Sequence, residues 1–413
     1  MRGASFVCTV AIVAIVAAVG CYQAPRDAPC TVSCAGQTAT CPSGLVCQGG
    51  ICASPGGGCG GDAGVDVDAP NDVGMYCYGH AEGPLQVCRS QPPSRDETIP
   101  DGTEYEFVTG GAGQTGCTVV ATPTGEICLV EYNSLTIPTT TRLVGNGSRP
   151  LVFLVAGHLK VDGVISVGEE PGNLLSRAGA ASNACGTPGT PAVTMGAGGG
   201  AGGSFGGPGG GGGTGNGGDA QGGSAAAEPS LDRIRGGCPG QGGAGNPVDN
   251  GGRAGGAVYF IVGTMTVTAT GSINASGGPG GGGTSGGGGG GGGAGGLIGI
   301  DVAQGGGLVL SGTVFANGGA GGGGASVAGP GMAGTYSTGP IARGLGGSPG
   351  VGGGSGGAGT GGLVLDGSMG APGGAAASGG GGGGGAGHVL IYPATENPGP
   401  VSSIAPPPTS PAL

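Results

Sequence analysis

The chain has 413 residues, of which 116 are glycine; 8% are charged, 3% are aromatic and none is tryptophan. This composition is far from that of an ordinary globular protein, and the glycines lack the strict three-residue period of collagen. The formal net charge is −11 and Lys160 is the single lysine, so we expect no nucleic-acid partner, because phosphate binding needs clustered lysine and arginine.

The N-terminus has the pattern of a bacterial export signal. Arg2 is followed by an almost wholly apolar run at residues 6–19. A helix of that length falls short of the roughly 30 Å bilayer core, which favours a signal peptide over a membrane anchor. Residues 18–21, Ala-Val-Gly-Cys, resemble a lipobox, although leucine is more usual at the first position. The sequence predicts a signal peptide at 1–20 and acylation of Cys21; the alternative is an ordinary signal, with this cysteine in a disulfide.

Fourteen cysteines form the second strong pattern. Cys8 lies in the signal peptide and Cys21 would carry the lipid, which leaves an even number in an exported chain, so we expect disulfides. No Cys-x-x-Cys occurs, so zinc-ribbon and thioredoxin-like sites have no support. The disulfide candidates are Cys30, Cys34, Cys41, Cys47, Cys52, Cys59, Cys77, Cys88, Cys117, Cys128, Cys185 and Cys238.

The next segments are short. Residues 21–59 hold the lipid-anchor cysteine and a Cys-rich module that is too small for a hydrophobic core. We expect three disulfides there, with a connectivity that the spacing leaves open; a receptor-binding knot is the functional alternative. Residues 60–74 spread four aspartates among small residues. Because no glutamate closes the pattern as in a calcium loop, this is interpreted as a flexible acidic linker.

Residues 75–150 are predicted to form a small β module stapled by disulfides. Cys77 and Cys88 have the same separation as Cys117 and Cys128, which suggests two local hairpin-like bridges. Short runs rich in β-branched and aromatic residues between them are typical of strands.

Residues 151–393 contain the most informative repeat. The segments 151–167, 258–275 and 297–316 each combine an apolar strand, a second strand, a glycine and a short final strand. Units that cannot bury a face alone are expected to stack. The predicted fold is therefore mainly β: a parallel β-solenoid-like body with long Gly-rich loops, preceded by a small disulfide-rich module. A β-sandwich is the alternative.

Between these units lie long glycine tracts, including uninterrupted runs at residues 286–293 and 379–385. Ordering glycine costs backbone entropy, so flexible loops projecting from the body are favoured. The alternative is packed polyproline II segments, in which only glycine allows close backbone approach. A bridge between Cys185 and Cys238 would give the largest insertion defined ends. The Pro-rich residues 394–413 are predicted to be a disordered tail.

A search for catalytic groups finds none. His80, His158 and His388 are scattered, and Asp301 and Asp366 are lone acids near strands. A polysaccharide-processing solenoid would need paired carboxylates or a carboxylate–arginine cluster on one face, and no pair occurs at the spacing of the units. We therefore expect no enzyme activity, no cofactor and no metal. A further possibility is ice binding, because four alternating hydroxyls would share one strand face; these belong to Thr264, Thr266, Thr268 and Thr270.

The whole pattern resembles the glycine-rich, Cys-rich lipoproteins of myxobacteria, whose function is mostly unassigned. The resemblance covers the lipobox, the Cys-rich module, the acidic linker and the repeated body, and it is closest at residues 235–241 and 258–262. It implies a location: the outer membrane, lipid-anchored, with the body at the cell surface or facing the periplasm. The function expected is non-catalytic, structural or adhesive, with extracellular polysaccharide or matrix as partner. The alternatives are a carbohydrate-binding or polysaccharide-degrading solenoid and an ice-binding protein.

Overall fold

The computed structural model describes residues 75–80, 83–110, 115–170, 178–180, 185–193, 196–246, 250–392 and 403–409, together with the backbone of two short strands nearer the N-terminus. The chain divides into two compact units, residues 1–72 and 73–413. In the first unit the backbones of Cys47 and Cys52 face each other in an antiparallel hairpin. The signal peptide, Cys21 and the acidic linker lie outside the described residues, as do Cys30, Cys34, Cys41 and Cys59. No helix in the described part of the chain has the length and hydropathy to cross a membrane.

The regular structure is almost entirely β. The strands are β1 (Val46–Gln48), β2 (Ile51–Ala53), β3 (Tyr76–Tyr78), β4 (Val87–Arg89), β5 (Asp96–Thr98), β6 (Glu104–Val108), β7 (Thr118–Thr122), β8 (Gly125–Tyr132), β9 (Ser134–Ile137), β10 (Arg142–Asn146), β11 (Leu151–Val161), β12 (Val164–Ser166), β13 (Ala257–Val267), β14 (Ser272–Asn274), β15 (Leu297–Val302), β16 (Leu308–Leu310), β17 (Thr313–Phe315), β18 (His388–Tyr392) and β19 (Ile404–Ala405).

Two parallel sheets organise the second unit. Sheet 1 has the order β18-β15-β13-β11-β8-β7, with β5, β9 and β16 beside this path, and sheet 2 has the order β19-β17-β14-β12-β10-β6. All pairs in them are parallel except the hairpin β7–β8. Each pass of the chain adds a strand to sheet 1 and then one to sheet 2, as β11 and β12 do, followed by β13 and β14. The region predicted as a separate module, residues 75–150, supplies strands to these same sheets.

The main core lies between the two sheets. Because the register is parallel, equivalent side chains stack in ladders, and Phe153 lies on Phe260 with ring centroids 5.5 Å apart. The ladder on sheet 2 consists of Leu143, Ile165, Ile273, Val314 and Ile404. Ile404 comes from the segment predicted as a disordered tail. Residues 403–409 are ordered because this side chain fills the core beside Val314.

Sheet 1 is covered on its second face as well. Val152, Leu154 and Tyr259 point away from the main core into another buried cluster, where they meet Leu85 and Phe205. A sheet buried on both faces needs apolar residues at successive positions rather than at alternate ones. This explains why β11 and β13 begin with uninterrupted apolar runs.

The glycine tracts are packed, so the structure corrects the expectation of projecting loops. In residues 287–296 successive amides donate to three different neighbouring segments, and the same three recur every third residue. The bonds are Gly288 to Ala244, Gly289 to Gly379, Gly290 to Gly281, then Gly291 to Gln241, Gly292 to Gly382 and Gly293 to Gly278, all from N–H to carbonyl oxygen. A period of three residues is that of the polyproline II helix, the alternative considered from the sequence.

Two tracts lie at the centre of this arrangement. Carbonyls of 287–296 accept amides from three further segments, so this tract has six neighbours; residues 378–387 likewise donate to three segments and accept from three others. The donors to the first tract lie in 200–203, 252–255 and 319–325. The second tract donates to 197–203, 316–325 and 365–371 and accepts from 206–213, 289–295 and 354–357. Because every side of such a helix faces a neighbour, a Cβ at any position from 287 to 293 or from 379 to 385 would overlap a neighbouring segment, which accounts for the two longest glycine runs.

The space around these glycines shows why a larger residue does not fit. A Cβ added to Gly291 would overlap the carbonyl oxygen of Ala201, and one on Gly383 would overlap that of Ala358. The tract at 287–296 is entered through a tight turn in which Ser285 and Gly286 have φ angles of 48° and 81°. Left-handed backbone of this kind is favoured by glycine and tolerated by few other residues.

The tracts are insertions between passes of the sheets. The chain leaves the sheets after β12, β14 and β17 and returns at β13, β15 and β18. We call the tracts within residues 196–256, 275–296 and 316–387 the glycine bundle. Because each excursion begins and ends in a strand, the bundle is continuous with the β core.

Candidate functional site

The structure pairs six of the predicted cysteines. Cys77–Cys88 joins β3 to β4, Cys117–Cys128 attaches the start of β7 to β8, and Cys185–Cys238 connects two segments of the first glycine-rich insertion. None of these sulfurs is free for nucleophilic or redox chemistry as a thiol. All three bridges are therefore interpreted as structural.

Arg235 is buried beside the third bridge. Its Nη2 lies 3.2 Å from Cys185 Sγ, and its guanidinium sits 5.3 Å above the centre of the Phe205 ring. Burial lowers the pKa of Arg235, with Arg233 acting in the same direction. The stacked guanidinium joins segments of the first insertion to one another beside the disulfide, so we assign it a structural role.

The three histidines lie in separate places. His158 Nδ1 is 2.7 Å from Thr264 Oγ1 on the exposed face of sheet 1. His388, at the start of β18, is mostly buried with its ring edge against Phe205. Burial lowers the pKa of His388, and a hydrogen bond that its ring makes to the backbone of Phe205 opposes this shift.

His80 is the one histidine beside a buried carboxylate. Its Nδ1 is 2.5 Å from Asp301 Oδ1, its backbone N–H donates to Asp301 Oδ2, and Asp301 is 1% exposed. Tyr259 donates to the same carboxylate at 3.4 Å, and burial, followed by Asp301, raises the pKa of Tyr259 well above its usual value. His80 and Asp301 line an open cavity of about 330 Å³.

This pair resembles part of a catalytic triad, but among the described residues no serine or threonine lines its cavity. An aspartate that orients a histidine supports general-base chemistry when a serine or cysteine lies within reach. The other lining residues are mostly small or apolar, Tyr78 and Gln304 add a hydroxyl and an amide, and Cys77 is held in its disulfide. In the described residues the pair fastens the β3–β4 hairpin over the outer face of sheet 1, since Leu85 and Val87 of that hairpin pack there.

A charged cluster that the sequence did not reveal lies on sheet 2. Arg142 contacts Glu170 and has its Nε 3.9 Å from Glu104 Oε2. Glu170 also accepts a hydrogen bond of 2.5 Å from Ser166 Oγ. No short motif marks this cluster, because its residues are far apart in the chain and only the parallel register of β6, β10 and β12 brings them together. Both carboxylates contact the same arginine, so the three side chains form one charged cluster.

The four threonines of β13 and its turn divide into two groups. Thr264 and Thr266 lie on the outer face of sheet 1, paired with His158 and Lys160 on β11. The other two bond to backbone carbonyls at the turn, Thr268 Oγ1 to Val161 and Thr270 Oγ1 to Asp162. The row of threonine hydroxyls on the outer face of sheet 1 is therefore one strand wide.

Exposed large apolar side chains concentrate on the outer part of the glycine bundle. Of those in the described residues, most lie between positions 327 and 369. They are Val327, Met332, Ile341, Leu345, Val351, Leu363, Val364, Leu365 and Met369. Such a concentration is typical of an interaction surface.

Within the part of the chain that is described, no group of three or more His, Cys, Asp or Glu residues is placed to hold a metal ion. Comparison of the chain with protein-family models, with curated proteins and with solved structures finds no match.

Proposed function

We propose that this protein is a non-catalytic lipoprotein of the bacterial cell envelope with a structural or adhesive role. In this proposal Cys21 carries the lipid, and the stacked passes of sheets 1 and 2 form a parallel β-solenoid that supports the glycine bundle at the outer surface of the outer membrane. Extracellular polysaccharide or matrix is the proposed partner. The likeness to myxobacterial lipoproteins noted from the sequence supports the location.

The observation that carries the proposal is the glycine bundle itself. Its interior offers backbone amides and carbonyls that already bond to one another, so it has no reactive groups to offer a substrate. Its outside displays apolar side chains on a hydrogen-bonded frame. A rigid body with exposed apolar residues suits contact with another surface better than it suits catalysis.

Protease shaving of intact cells tests the location. We expect the body of the wild-type protein to be cleaved from whole cells, and the Cys21→Ser protein to be lost from the membrane fraction. Cys8→Ser is the matched control, because this cysteine would leave with the signal peptide. If the wild-type protein is cleaved only after the outer membrane is opened, it faces the periplasm and the adhesive role is wrong.

The cluster of Glu104, Arg142 and Glu170 favours carbohydrate binding or degradation as a second candidate. Such a cluster on one face of a parallel sheet is what that function would need. We expect Glu170→Gln to abolish any binding to a glycan array, and Glu126→Gln, which removes an exposed carboxylate paired with Arg149, to leave it unchanged. Equal binding by both variants and the wild type would remove this candidate.

A further inference from the structure

One antiparallel hairpin forms the outermost layer of the glycine bundle. Its two arms, residues 331–337 and 344–350, are joined by N–H to carbonyl bonds from Met332 to Ser348 and from Thr335 to Leu345, of 2.8 and 2.9 Å. We call residues 327–351 the outer hairpin. Its inner side bonds to the tract at 316–325, so the opposite side faces solvent.

The solvent side is apolar to an unusual degree. Five large apolar side chains project from this one hairpin, and each is more than half exposed. Their exposed fractions are 89% for Val327, 63% for Met332, 71% for Ile341, 68% for Leu345 and 76% for Val351. Several exposed large apolar side chains in one short segment are typical of a binding surface.

Charge restricts what can cover this surface. The chain carries a net charge of −11, yet Arg343 is the only charged residue between Asp301 and Asp366. The Arg343 guanidinium turns inward, where it donates to Gly359 O at 2.8 Å and to Ser368 Oγ at 2.9 Å. The outer hairpin is therefore a place where a second copy of this acidic chain can approach without like-charge repulsion.

The spacing of the side chains favours the same partner. The large apolar side chains exposed on the second arm and in the turn after it, Leu345 and Val351, are six residues apart, with Ser348 exposed midway between them and Pro349 exposed beside it. At about 3.1 Å per residue, polyproline II geometry separates neighbouring outward side chains by roughly 9 Å, which leaves a gap as wide as one side chain. An identical row, shifted by half a period, has the matching period to fill those gaps.

We propose that the outer hairpin is a self-association surface, on which two copies of the chain pack face to face around a two-fold axis. The proposal deepens the adhesive role and rests on it for its biological setting. The patch is of the order of a few hundred Å², which predicts a weak, reversible contact between single molecules. Many lipid-anchored copies on two opposed membranes would make that contact strong through multivalency.

Sedimentation equilibrium of the full chain with Cys21→Ser tests the contact. We expect reversible dimers, and at least a tenfold weaker dimerisation when Leu345→Asp or Val351→Asp is added, because each change places a charge twice in a two-fold interface. Val193→Asp is the matched control, since Val193 is equally exposed outside the hairpin, and should dimerise as the parent does. Circular dichroism and melting temperature verify that each variant folds.

Vesicles of neutral lipid carrying the acylated protein provide the second measurement. We expect vesicles with the wild-type protein to cluster, and vesicles with the Val351→Asp protein to stay apart. A monomer at every concentration together with no clustering would overturn the proposal. So would wild-type vesicles binding protein-free vesicles equally well, which would make lipid the partner. Cell shaving does not depend on either result, so a surface protein with a different partner remains distinguishable.

Discussion

At the scale of single residues, adjacent glycines in the bundle differ sharply in the space available for a side chain. Gly210 and Gly211 follow each other in one tract. A Cβ on Gly210 would overlap the carbonyl oxygen of Ser368, whereas the nearest atom to a Cβ on Gly211 is the Gly223 oxygen at 3.5 Å. The first position faces a neighbouring tract and the second faces outward. A glycine can therefore be obligatory or replaceable depending on its place in the triplet.

We expect Gly210→Ala to lower the free energy of unfolding by about 2 kcal/mol or more, as overpacking does. Gly211→Ala should leave it unchanged or raise it by about 0.5 kcal/mol, because alanine restricts the unfolded chain. Chemical denaturation of both variants checks this. Equal effects of the two substitutions would mean that the tracts are not packed as described.

His388 predicts how stability responds to acid. Because burial lowers its pKa in the folded protein below the usual 6.5, the unfolded chain binds a proton first as the pH falls. The contribution of His388 to stability is therefore complete above pH 6.5 and is lost as the pH drops below that value. We expect His388→Gln to flatten the loss of stability between pH 7 and pH 5, measured by denaturation at each pH. His158→Gln, which changes an exposed histidine, is the control, and an unchanged slope in the His388 variant would contradict the prediction.

At the scale of elements, the sequence predicted structure where the type of side chain indicates whether a position is buried or bridged. The apolar starts of β11 and β13 predicted buried strands, and the equal spacing of two cysteine pairs predicted local bridges. Glycine has no side chain, so a buried tract and a solvated loop have the same sequence. For that reason the sequence alone could not show that residues 286–293 are packed. The Arg142 cluster was missed because it depends on strand register, which no short motif encodes.

The bridge between Cys185 and Cys238 gives a prediction for the first insertion. It closes a separation of 53 residues, for which the chain-entropy relation gives about 4 kcal/mol. We expect the double variant Cys185→Ser, Cys238→Ser to lose stability of that order and to become sensitive to trypsin at the partly exposed Arg233. Removing Cys77–Cys88, whose separation is 11, should cost less, roughly 3 kcal/mol. Trypsin resistance of the first variant at Arg233 would show that the tracts hold the insertion without the bridge.

At the scale of the whole molecule, the β core and the glycine bundle share their boundaries. Three connections between passes extend into the bundle, and the first residues of β15 and β18 continue directly from its two central tracts. The tracts contribute to stability through backbone hydrogen bonds, whereas the sheets contribute through burial of side chains. We therefore expect the two parts to unfold together rather than as separate domains.

Hydrogen exchange followed by mass spectrometry checks this expectation. Peptides covering residues 287–296 and 378–387 should exchange as slowly as peptides covering β13, because their amides are bonded and buried. A chain whose glycine tracts were loops would exchange them within seconds. Ser285, at an exposed turn, serves as a fast-exchanging reference within the same protein.

The three-residue period of the tracts has a consequence for the gene. Glycine codons are repetitive, and repetitive DNA gains and loses single codons by slippage. One added residue within residues 287–296 would rotate every later amide towards a different neighbouring segment, whereas three added residues would leave each amide directed at its original segment. We therefore expect the glycine bundle to tolerate changes in the length of a tract only in multiples of three codons.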